Sequence, residues 1–247
     1  MTDFIAESDR SVLERNGLAD FDSLWAVQLE AVDEPNVERG GWSSVFRLEL
    51  DDSAFYLKRQ SNHLTRTLAH PFGEPTFARE FRNIRRYEQL GVPALQAAFF
   101  GQRKVGSEQR AVLLTRALDG WTDLDALLSR WSRMGGKQQA IIRATGELAR
   151  TLHRAGLMHG CFYPKHIFLR EQGGDWQACL IDLEKTRPLL LGQRDRIKDL
   201  EPLVRRAGCI GDDGVRWLLS SYLDDERLLE AWLRRLNRRQ KDKKARG

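Results

Sequence analysis

The stretch "LMHGCFYPKHIFLR", residues 157–170, carries two imidazoles, a thiol and an ammonium group close together in the chain. These groups belong to His159, Cys161, Lys165 and His166. A second stretch, "CLIDLEK", residues 179–185, follows shortly after, and in it Asp182 ends a short apolar segment. Because these are groups that bind metals, bind phosphates or move protons, we predict the functional site of the protein in these two stretches.

A metal ion is expected at the second stretch. Asp182 follows the apolar residues "CLI", and a carboxylate at the end of a buried strand is well placed to hold Mg²⁺. His166 lies five residues after Cys161 and sixteen before Asp182. Imidazole is a poorer Mg²⁺ ligand than a carboxylate or amide oxygen. We predict Asp182 and His166 as the metal residues; the alternatives are a turn-capping Asp182 and a His166 that contacts phosphate or braces the loop.

The chain upstream of these stretches is predicted to be rich in β-strands. Alternating apolar and polar residues indicate a hairpin formed by "VFRLEL", residues 45–50, and "AFYLKR", residues 54–59. Further strands are expected at "LWAVQLE" (24–30), "PALQAAFFGQRK" (93–104) and "RAVLLTRA" (110–117). One helix is predicted over residues 76–91, "TFAREFRNIRRYEQLG", and its spaced positions are Phe77, Phe81, Ile84 and Glu88. This pattern indicates a mostly antiparallel sheet that holds one helix.

Two features of this half are suited to phosphate groups. Lys58 ends the apolar segment "AFYLK", and Glu80 lies on the following helix, where it is able to pair with Lys58; an ordinary surface salt bridge is the alternative. The segment "RGGWSSV", residues 39–45, offers backbone N–H groups and two hydroxyls, although it lacks a complete GxGxxG. Its candidate residues are Gly40, Gly41, Ser43 and Ser44.

The downstream half is predicted to be helical. Thr122 is expected to cap "DLDALLSRW", and residues 137–156 form a strong helical pattern. One face of that helix is predicted to consist of Ile141, Thr145, Leu148 and Leu152. Two more helices are expected at "GVRWLLSSYL" and "DDERLLEAWLRRLNRR". We therefore predict an α+β fold of two lobes, with a β-rich lobe over residues 1–116 and a helical lobe over residues 117–247.

The composition indicates a globular protein without a membrane span. Of the 247 residues, 41% are hydrophobic and 30% charged, and apolar runs such as "PLLLG" are too short to cross a bilayer. The acidic start "MTDFIAESDR" is unlike a signal peptide, and three cysteines without CxxC spacing favour reduced thiols, so we expect a cytoplasmic protein. The basic tail "LRRLNRRQKDKKARG" is suited to nucleic acid, to an anionic membrane surface or to a solvated, frayed helix.

Over roughly residues 38–190 the chain resembles the lipopolysaccharide core kinase family, which includes heptose kinases, Kdo kinases and InaA-type proteins. The matching segments, in order, are "FYLKRQSNHLTRTLAHPFGEPTFAREFRNIRR", "LLTRALDG", "HGCFYPKHIFL" and "LIDLEKTR". Of these, "HPFGEPTFAREF" and "CFYPKHIF" point to the InaA-type branch. The resemblance implies a protein-kinase-like fold and the cofactors ATP and Mg²⁺.

The resemblance also implies roles for single residues on the nucleotide side. Lys58 would bind the α- and β-phosphates, Glu80 would orient Lys58, and Asp182 would hold Mg²⁺. The adenine would be received by the backbone of Leu114, Thr115 and Arg116. His166 stands where most kinases have a metal-binding asparagine, and heptose kinases of this family also carry histidine there. Asp199 is matched to the helix acid that braces the catalytic loop from beneath.

Two departures are present: Asp182-Leu183-Glu184 replaces the Asp-Phe-Gly of protein kinases, and Cys161 replaces the catalytic base. Cys161 stands where the heptose kinases keep an aspartate as catalytic base. A free thiol with a pKa of about 8.5 is mostly protonated at neutral pH. Charge on His159 or Lys165 would lower that pKa, and the alternative for His159 is a buried anchor of the loop. Because a general base typically contributes about 10²–10⁴-fold, its loss should slow phosphoryl transfer rather than abolish it.

Three functions from different classes follow from these residues. The first is an ATP-dependent kinase that phosphorylates an inner-core sugar of lipopolysaccharide, or another anionic glycolipid, at the inner membrane, with the basic tail attracted to the anionic surface. The second is a nucleotide-binding pseudokinase that acts as a scaffold or in a stress response. The third, a nucleic-acid-binding module, is disfavoured because the basic residues are not interleaved with an aromatic stacking platform, and we expect no nucleic-acid partner.

Overall fold

The computed structural model of the protein describes residues 3–37, 40–66 and 70–244. Arg39 of the predicted phosphate-binding segment therefore lies outside the described residues, as do residues 67–69 and 245–247. The chain forms two compact units, one made of residues 1–88 and 95–119 and the other of residues 89–94 and 120–247. The lobes 1–116 and 117–247 expected from the sequence stay a prediction.

The first unit is built around an antiparallel sheet. Its elements in chain order are β1 (Phe4–Ile5), α1 (Glu7–Arg15), α2 (Phe21–Ala26), β2 (Trp42–Leu50), β3 (Ser53–Ser61), β4 (Leu64–Thr65), β5 (Glu74–Pro75), α3 (Thr76–Gln89), β6 (Ala97–Val105) and β7 (Glu108–Arg116). Five strands form the main sheet in the order β1-β6-β7-β3-β2, and β4 pairs with β5. The predicted hairpin is confirmed as β2–β3, in register from Trp42 opposite Ser61 to Leu50 opposite Ser53.

The strand predicted over residues 24–30 is wrong. Residues up to Ala26 belong to α2, and residues 27–30 have no regular secondary structure. The side chain of Asp20 accepts a hydrogen bond from the Ser23 N–H at 2.9 Å and so caps the helix. Phe21 and Leu24, three residues apart, are both buried in the core formed with the sheet. The helical spacing of these two residues therefore outweighs the short alternation that follows them.

Helix α3 is present as predicted, but its buried face is different. The buried residues are Thr76, Ala78, Glu80, Ile84 and Tyr87. Glu88 is exposed, and Phe81 is half-buried with its ring stacked on Phe100 at 4.4 Å between centroids. The buried face of α3 differs from the apolar spacing in the sequence because it includes a charged residue, Glu80. Apolar spacing alone does not predict a buried glutamate.

The second unit is mainly helical. Its elements in chain order are β8 (Thr122–Asp123), α4 (Leu124–Ser129), α5 (Gln138–Arg154), β9 (Leu157–Met158), β10 (Ile167–Gln172), β11 (Asp175–Leu180), β12 (Arg187–Pro188), α6 (Gln193–Arg206), α7 (Gly211–Tyr222) and α8 (Leu229–Lys244). Strands β11, β10 and β8 form one small sheet and β12 pairs with β9. The cap of α4 is Asp123, whose side chain accepts from the Ala126 N–H at 2.9 Å, rather than Thr122, which pairs in β8.

The long helix α5 forms the centre of this unit. The four residues of its predicted face, Ile141, Thr145, Leu148 and Leu152, are all buried. Gly146 lies where α5 meets α7, and a Cβ there would come within 2.5 Å of the Leu218 carbonyl oxygen. Glycine therefore allows the two helices to approach closely.

The described part of the basic C-terminal segment, up to Lys244, lies in helix α8. In α8, Trp232 and Leu236 are buried, and Trp232 packs on the ring of Tyr222 at 5.3 Å. The carboxylate of Glu201 on α6 is fully buried and lies 3.1 Å from Nζ of Lys243. The exposed cations of the helix include Arg234, Arg238 and Lys241. Among the described helices, none combines the length and the apolar character that a membrane crossing requires.

Candidate functional site

The first unit holds an ion pair between β3 and α3. Nζ of Lys58 lies 2.7 Å from Oε1 of Glu80, and the two side chains are 18% and 4% exposed. The pairing of Lys58 with Val45 and Leu113 on the neighbouring strands fixes the lysine backbone. An exposed salt bridge contributes little, but this pair is largely shielded from water, so its Coulomb attraction is stronger.

Gln60 explains why Glu80 faces Lys58. This side chain is fully buried on β3, two residues beyond the lysine. Its Oε1 accepts hydrogen bonds from the Thr76 hydroxyl at 2.7 Å and from the Phe77 N–H at 2.8 Å. The first turn of α3 is thereby attached to the strand that carries Lys58. The sequence does not single out Gln60; the available signal is a polar residue two positions from Lys58 on the same face of a strand.

The predicted phosphate-binding segment is only partly a loop. Ser43 and Ser44 lie in β2, opposite Gln60 and Arg59, and Ser44 is buried. Gly40 takes φ +76°, a conformation that favours glycine. A Cβ on Gly41 would lie 2.2 Å from the Ser61 carbonyl oxygen, so this glycine is required by the close approach of the two strands.

The residues matched to the adenine site lie in β7. Thr115 is paired with Tyr56 on one side and Ala97 on the other, and Leu114 is likewise paired on both sides. The side chain of Arg116 forms an ion pair of 2.7 Å with the buried Asp9 of α1. Backbone groups of Leu114 and Thr115 are therefore in the interior of the sheet, and the chain leaves the strand only after Arg116.

In the second unit, a buried aspartate on α6 supports the loop that contains Cys161. Oδ2 of Asp199 accepts from the His159 N–H at 2.7 Å, and Oδ1 accepts from the Gly160 N–H at 2.8 Å. The same carboxylate lies 3.2 Å from Nε2 of His153, whose Nδ1 is 2.8 Å from the Tyr222 hydroxyl. The position of Asp199 agrees with the bracing role implied by the sequence.

His159 is an internal part of this loop. Its side chain is fully buried, and burial lowers its pKa, which keeps the ring neutral. Nε2 lies 2.9 Å from the Ile181 carbonyl oxygen, so this nitrogen donates, while Nδ1 accepts from the Cys161 N–H at 3.2 Å. Since both nitrogens are used, the geometry supports the alternative in which His159 anchors the loop, and a neutral ring supplies no positive charge to the Cys161 thiol.

His166 and Asp182 face each other. Nδ1 of His166 lies 2.9 Å from the Cys161 carbonyl oxygen and must donate to it, and Nε2 lies 3.3 Å from Oδ2 of Asp182. Burial lowers the pKa of His166, which favours the neutral ring, although the carboxylate beside it acts in the opposite direction. Asp182 has φ +57°, an uncommon conformation for a residue other than glycine, and this conformation is consistent with a functional constraint on its carboxylate.

The geometry of this pair fits a shared cation. In the neutral ring, Nε2 carries a lone pair, and it faces a carboxylate oxygen, so a cation between the two acceptors would remove their repulsion. Among the described residues, no group of three or more His, Cys, Asp and Glu side chains is arranged as a metal site. Mg²⁺ is commonly held by one or two carboxylates together with waters and the phosphates of a nucleotide, so Asp182 with His166 meets that requirement.

Cys161 lies beside a tyrosine rather than beside a base. The Cys161 side chain is buried, and the Cys161 carbonyl oxygen accepts a hydrogen bond from the Tyr163 N–H at 2.7 Å. Burial raises the pKa of Tyr163, so the phenol remains protonated. Lys165 is exposed, and no contact joins it to Cys161 in the part of the chain that the structure describes.

Comparison with known proteins relates the chain to kinases of lipopolysaccharide. Residues 22–222 match the model of the lipopolysaccharide kinase (Kdo/WaaP) family. Protein InaA of Escherichia coli (strain K12) is 32% identical over 182 residues, which cover 72% of this chain and 82% of InaA. Lipopolysaccharide core heptose(I) kinase WaaP of Pseudomonas aeruginosa is 29% identical over 177 residues, covering 63% of this chain and 65% of that kinase.

A solved structure shows the same fold. The structure described as WaaP in complex with acyl carrier protein superposes with a TM-score of 0.69 at 24% identity, and the match covers 98% of this chain and 99% of that one. The predicted α+β, protein-kinase-like fold is therefore confirmed. The resemblance to the lipopolysaccharide core kinases and to the InaA-type branch is confirmed by the family match and by the similarity to InaA.

Proposed function

Because the chain belongs to the lipopolysaccharide kinase (Kdo/WaaP) family, we propose that it transfers the γ-phosphate of ATP to a hydroxyl group of a lipopolysaccharide inner-core sugar. Membership of this family implies a kinase, that is, a transferase that uses ATP. The observation that carries the proposal is the shielded 2.7 Å pair of Lys58 and Glu80. In protein kinases this type of lysine–glutamate pair must be in place for phosphoryl transfer.

The residues take roles that follow from their chemistry. Lys58, oriented by Glu80, binds the α- and β-phosphates, and Gly40, Gly41 and Ser43 contribute to the same phosphate site. Adenine is received by backbone groups at the end of β7, where the chain leaves the sheet after Arg116. When bound, Mg²⁺ neutralises the charge that develops on the phosphates, and Asp182 and His166 are the residues that would hold it.

The reaction proceeds without a carboxylate at position 161. Phosphoryl transfer depends mainly on positioning and electrostatic stabilisation, so a chain that keeps Lys58 and Asp182 retains most of what the reaction requires. A thiol with the reference pKa of about 8.5 contributes little as a base at neutral pH, so the reaction depends on the remaining residues. A slow kinase is the expected result.

The acceptor is a lipid-linked, anionic glycolipid, and the protein acts in the cytoplasm at the surface of the inner membrane. Exposed cations of α8, including Arg234, Arg238 and Lys241, support this proposal. Each well-placed Lys or Arg contributes about 1 kcal/mol of attraction to an anionic surface.

A second candidate function is favoured by Cys161 itself. A protein that binds nucleotide but has lost its catalytic base is able to act as a pseudokinase, in a scaffold or a stress response. One assay separates the two functions: purified protein with Mg²⁺ and γ-labelled ATP is added to lipopolysaccharide from cells that lack the protein. We expect label in the lipopolysaccharide and none with Asp182→Ala. Nucleotide-dependent stabilisation without any transfer of label would instead establish the pseudokinase.

A further inference from the structure

A cation at the end of α6 lies against the loop that contains Cys161. The guanidinium carbon of Arg206 lies 4.0 Å from the centroid of the Tyr163 ring. Arg206 is the last residue of α6, where the negative end of the helix dipole favours a positive charge. The Tyr163 N–H in turn donates a hydrogen bond to the Cys161 carbonyl oxygen at 2.7 Å. A positive charge is therefore held on the ring of Tyr163, two residues after Cys161, which stands at the position of the catalytic base in related kinases.

The charge of Arg206 is not neutralised by an ion pair among the described residues. Its polar partner among the described residues is the Pro202 carbonyl oxygen, 3.4 Å from Nη1, and no described carboxylate pairs with it. Its neighbour Arg205 differs, because Nε of Arg205 lies 2.8 Å from the buried Glu201. With its guanidinium carbon over the Tyr163 ring, Arg206 keeps N–H groups that no described carboxylate engages and that are suited to binding an oxyanion.

A second cation lies close to the same tyrosine. The charges of Arg206 and Lys185 both act to lower the pKa of Tyr163, against the larger effect of burial, which raises it. The Lys185 backbone packs so closely on Gly160 that a Cβ there would lie 2.6 Å from the Lys185 carbonyl oxygen. Lys185 is exposed, and it has no ion-pair partner in the described chain. Arg206 and Lys185, which have no carboxylate partner in the described chain, are thus the cations that act on Tyr163.

We propose that Arg206, held by Tyr163, binds a phosphate or carboxylate group of the ligand that approaches Cys161. The group comes either from an acidic acceptor sugar or from the γ-phosphate of the nucleotide. The expected source is the acceptor, because the γ-phosphate would lie beside the candidate metal residue Asp182. The His166 ring lies beside Asp182, and the Tyr163 ring, 5.4 Å from the His166 ring, separates it from Arg206. This inference rests on the proposed function, since it describes how that reaction recognises its acceptor.

The test compares Arg206→Ala with Arg194→Ala in the full chain. Arg194 is a suitable control because it is an exposed arginine on the same helix, without a side-chain partner among the described residues. Calorimetry measures binding of deacylated, carboxylate-bearing inner-core oligosaccharide, of the same oligosaccharide with its carboxylates reduced to alcohols, of Mg–ADP and of a non-hydrolysable Mg–ATP analogue. Melting temperatures establish that both variants are folded.

We expect Arg206→Ala to weaken binding of the acidic oligosaccharide at least tenfold. The affinities for the reduced oligosaccharide and for both nucleotides should stay within twofold of those of the unmutated protein. Arg194→Ala should change none of them, and Tyr163→Leu should resemble Arg206→Ala. If Arg206→Ala weakens binding of the Mg–ATP analogue but not of Mg–ADP or of the oligosaccharide, the oxyanion is the γ-phosphate. Equal binding by the two arginine variants to every probe would overturn the proposal. Failure of the unmutated chain to bind oligosaccharide would reject the proposed acceptor, and the nucleotide measurements would then decide the role of Arg206.

Discussion

Nε2 of His166 lies 3.3 Å from Oδ2 of Asp182, while Nδ1 of the same ring donates to the Cys161 carbonyl oxygen. The ring therefore connects the candidate metal site to the backbone of the loop where the acceptor would react. A change at either residue should affect both metal binding and the position of Cys161.

Removal of the Asp182 carboxylate should abolish magnesium-dependent stabilisation. A ligand that binds only the folded state raises the free energy of unfolding by about 2.7 kcal/mol at a hundredfold excess over Kd. We expect Mg–ATP to raise the melting temperature of the unmutated protein, and Asp182→Ala to lose the part of that rise that requires Mg²⁺. His166→Asn should retain more of this part than His166→Ala, because an amide oxygen is a better Mg²⁺ ligand than a methyl group. An equal magnesium effect in all four proteins would place the metal elsewhere.

Substitution of Cys161 should show whether only the base is missing. Cys161→Ser keeps the approximate volume and removes the thiol, and we expect it to retain most of the transfer activity, because a mostly protonated thiol contributes little as a base. Cys161→Asp supplies a carboxylate and should raise turnover by up to about 10²-fold.

Nucleotide affinity is the control for both Cys161 variants, since neither change should alter it. A hundredfold loss of turnover in Cys161→Ser with unchanged affinity would make the thiol a catalytic group. A loss of activity in Cys161→Asp together with weaker magnesium binding would instead show that the new charge disturbs Asp182.

Loss of Asp199 should destabilise the second unit. The carboxylate accepts hydrogen bonds from the buried His159 N–H and the partly buried Gly160 N–H and faces His153, and its removal leaves these donors without an acceptor. We expect Asp199→Ala to lower the free energy of unfolding by about 3 kcal/mol. Asp33→Ala, at an exposed aspartate, should change it by less than about 0.5 kcal/mol. Chemical denaturation measures both, and similar values for the two variants would contradict the bracing role.

The exposed cations of α8 should control membrane attraction. Because Leu236 is fully buried, deletion of the tail would damage the core, and substitution is the cleaner test. Replacement of Arg234, Arg238 and Lys241 by glutamine should weaken binding to vesicles that contain anionic lipid by about a hundredfold, at about 1 kcal/mol for each charge.

A matched variant controls for the change of net charge in this experiment. Glutamine at Arg86, Lys104 and Arg133 removes three exposed cations outside α8 and should leave vesicle binding almost unchanged. Added salt should weaken binding of the unmutated protein. Equal losses in the two triple variants would mean that net charge, and not α8, produces the attraction.

The sequence by itself determined the parts of this protein that are encoded locally. The β2–β3 hairpin and the buried face of α5 follow from periodicity within single segments, because side chains alternate along a strand and recur along a helix with fixed spacing. The family follows from short segments around Lys58, Cys161 and Asp182. The resemblance of these segments to the lipopolysaccharide core kinases is what predicted the protein-kinase-like fold.

The tertiary structure decided which side chains meet. Asp199 and the His159 N–H are separated by 40 residues in the chain, and Arg206 reaches Tyr163 from the end of a helix that carries no recognisable signal for that contact. The inward turn of Glu80 likewise depends on Lys58 and Gln60 on another element. Periodicity records the face that a segment buries, but hydrogen bonds and ion pairs between distant segments depend on how those faces pack. That packing is a property of the folded chain as a whole.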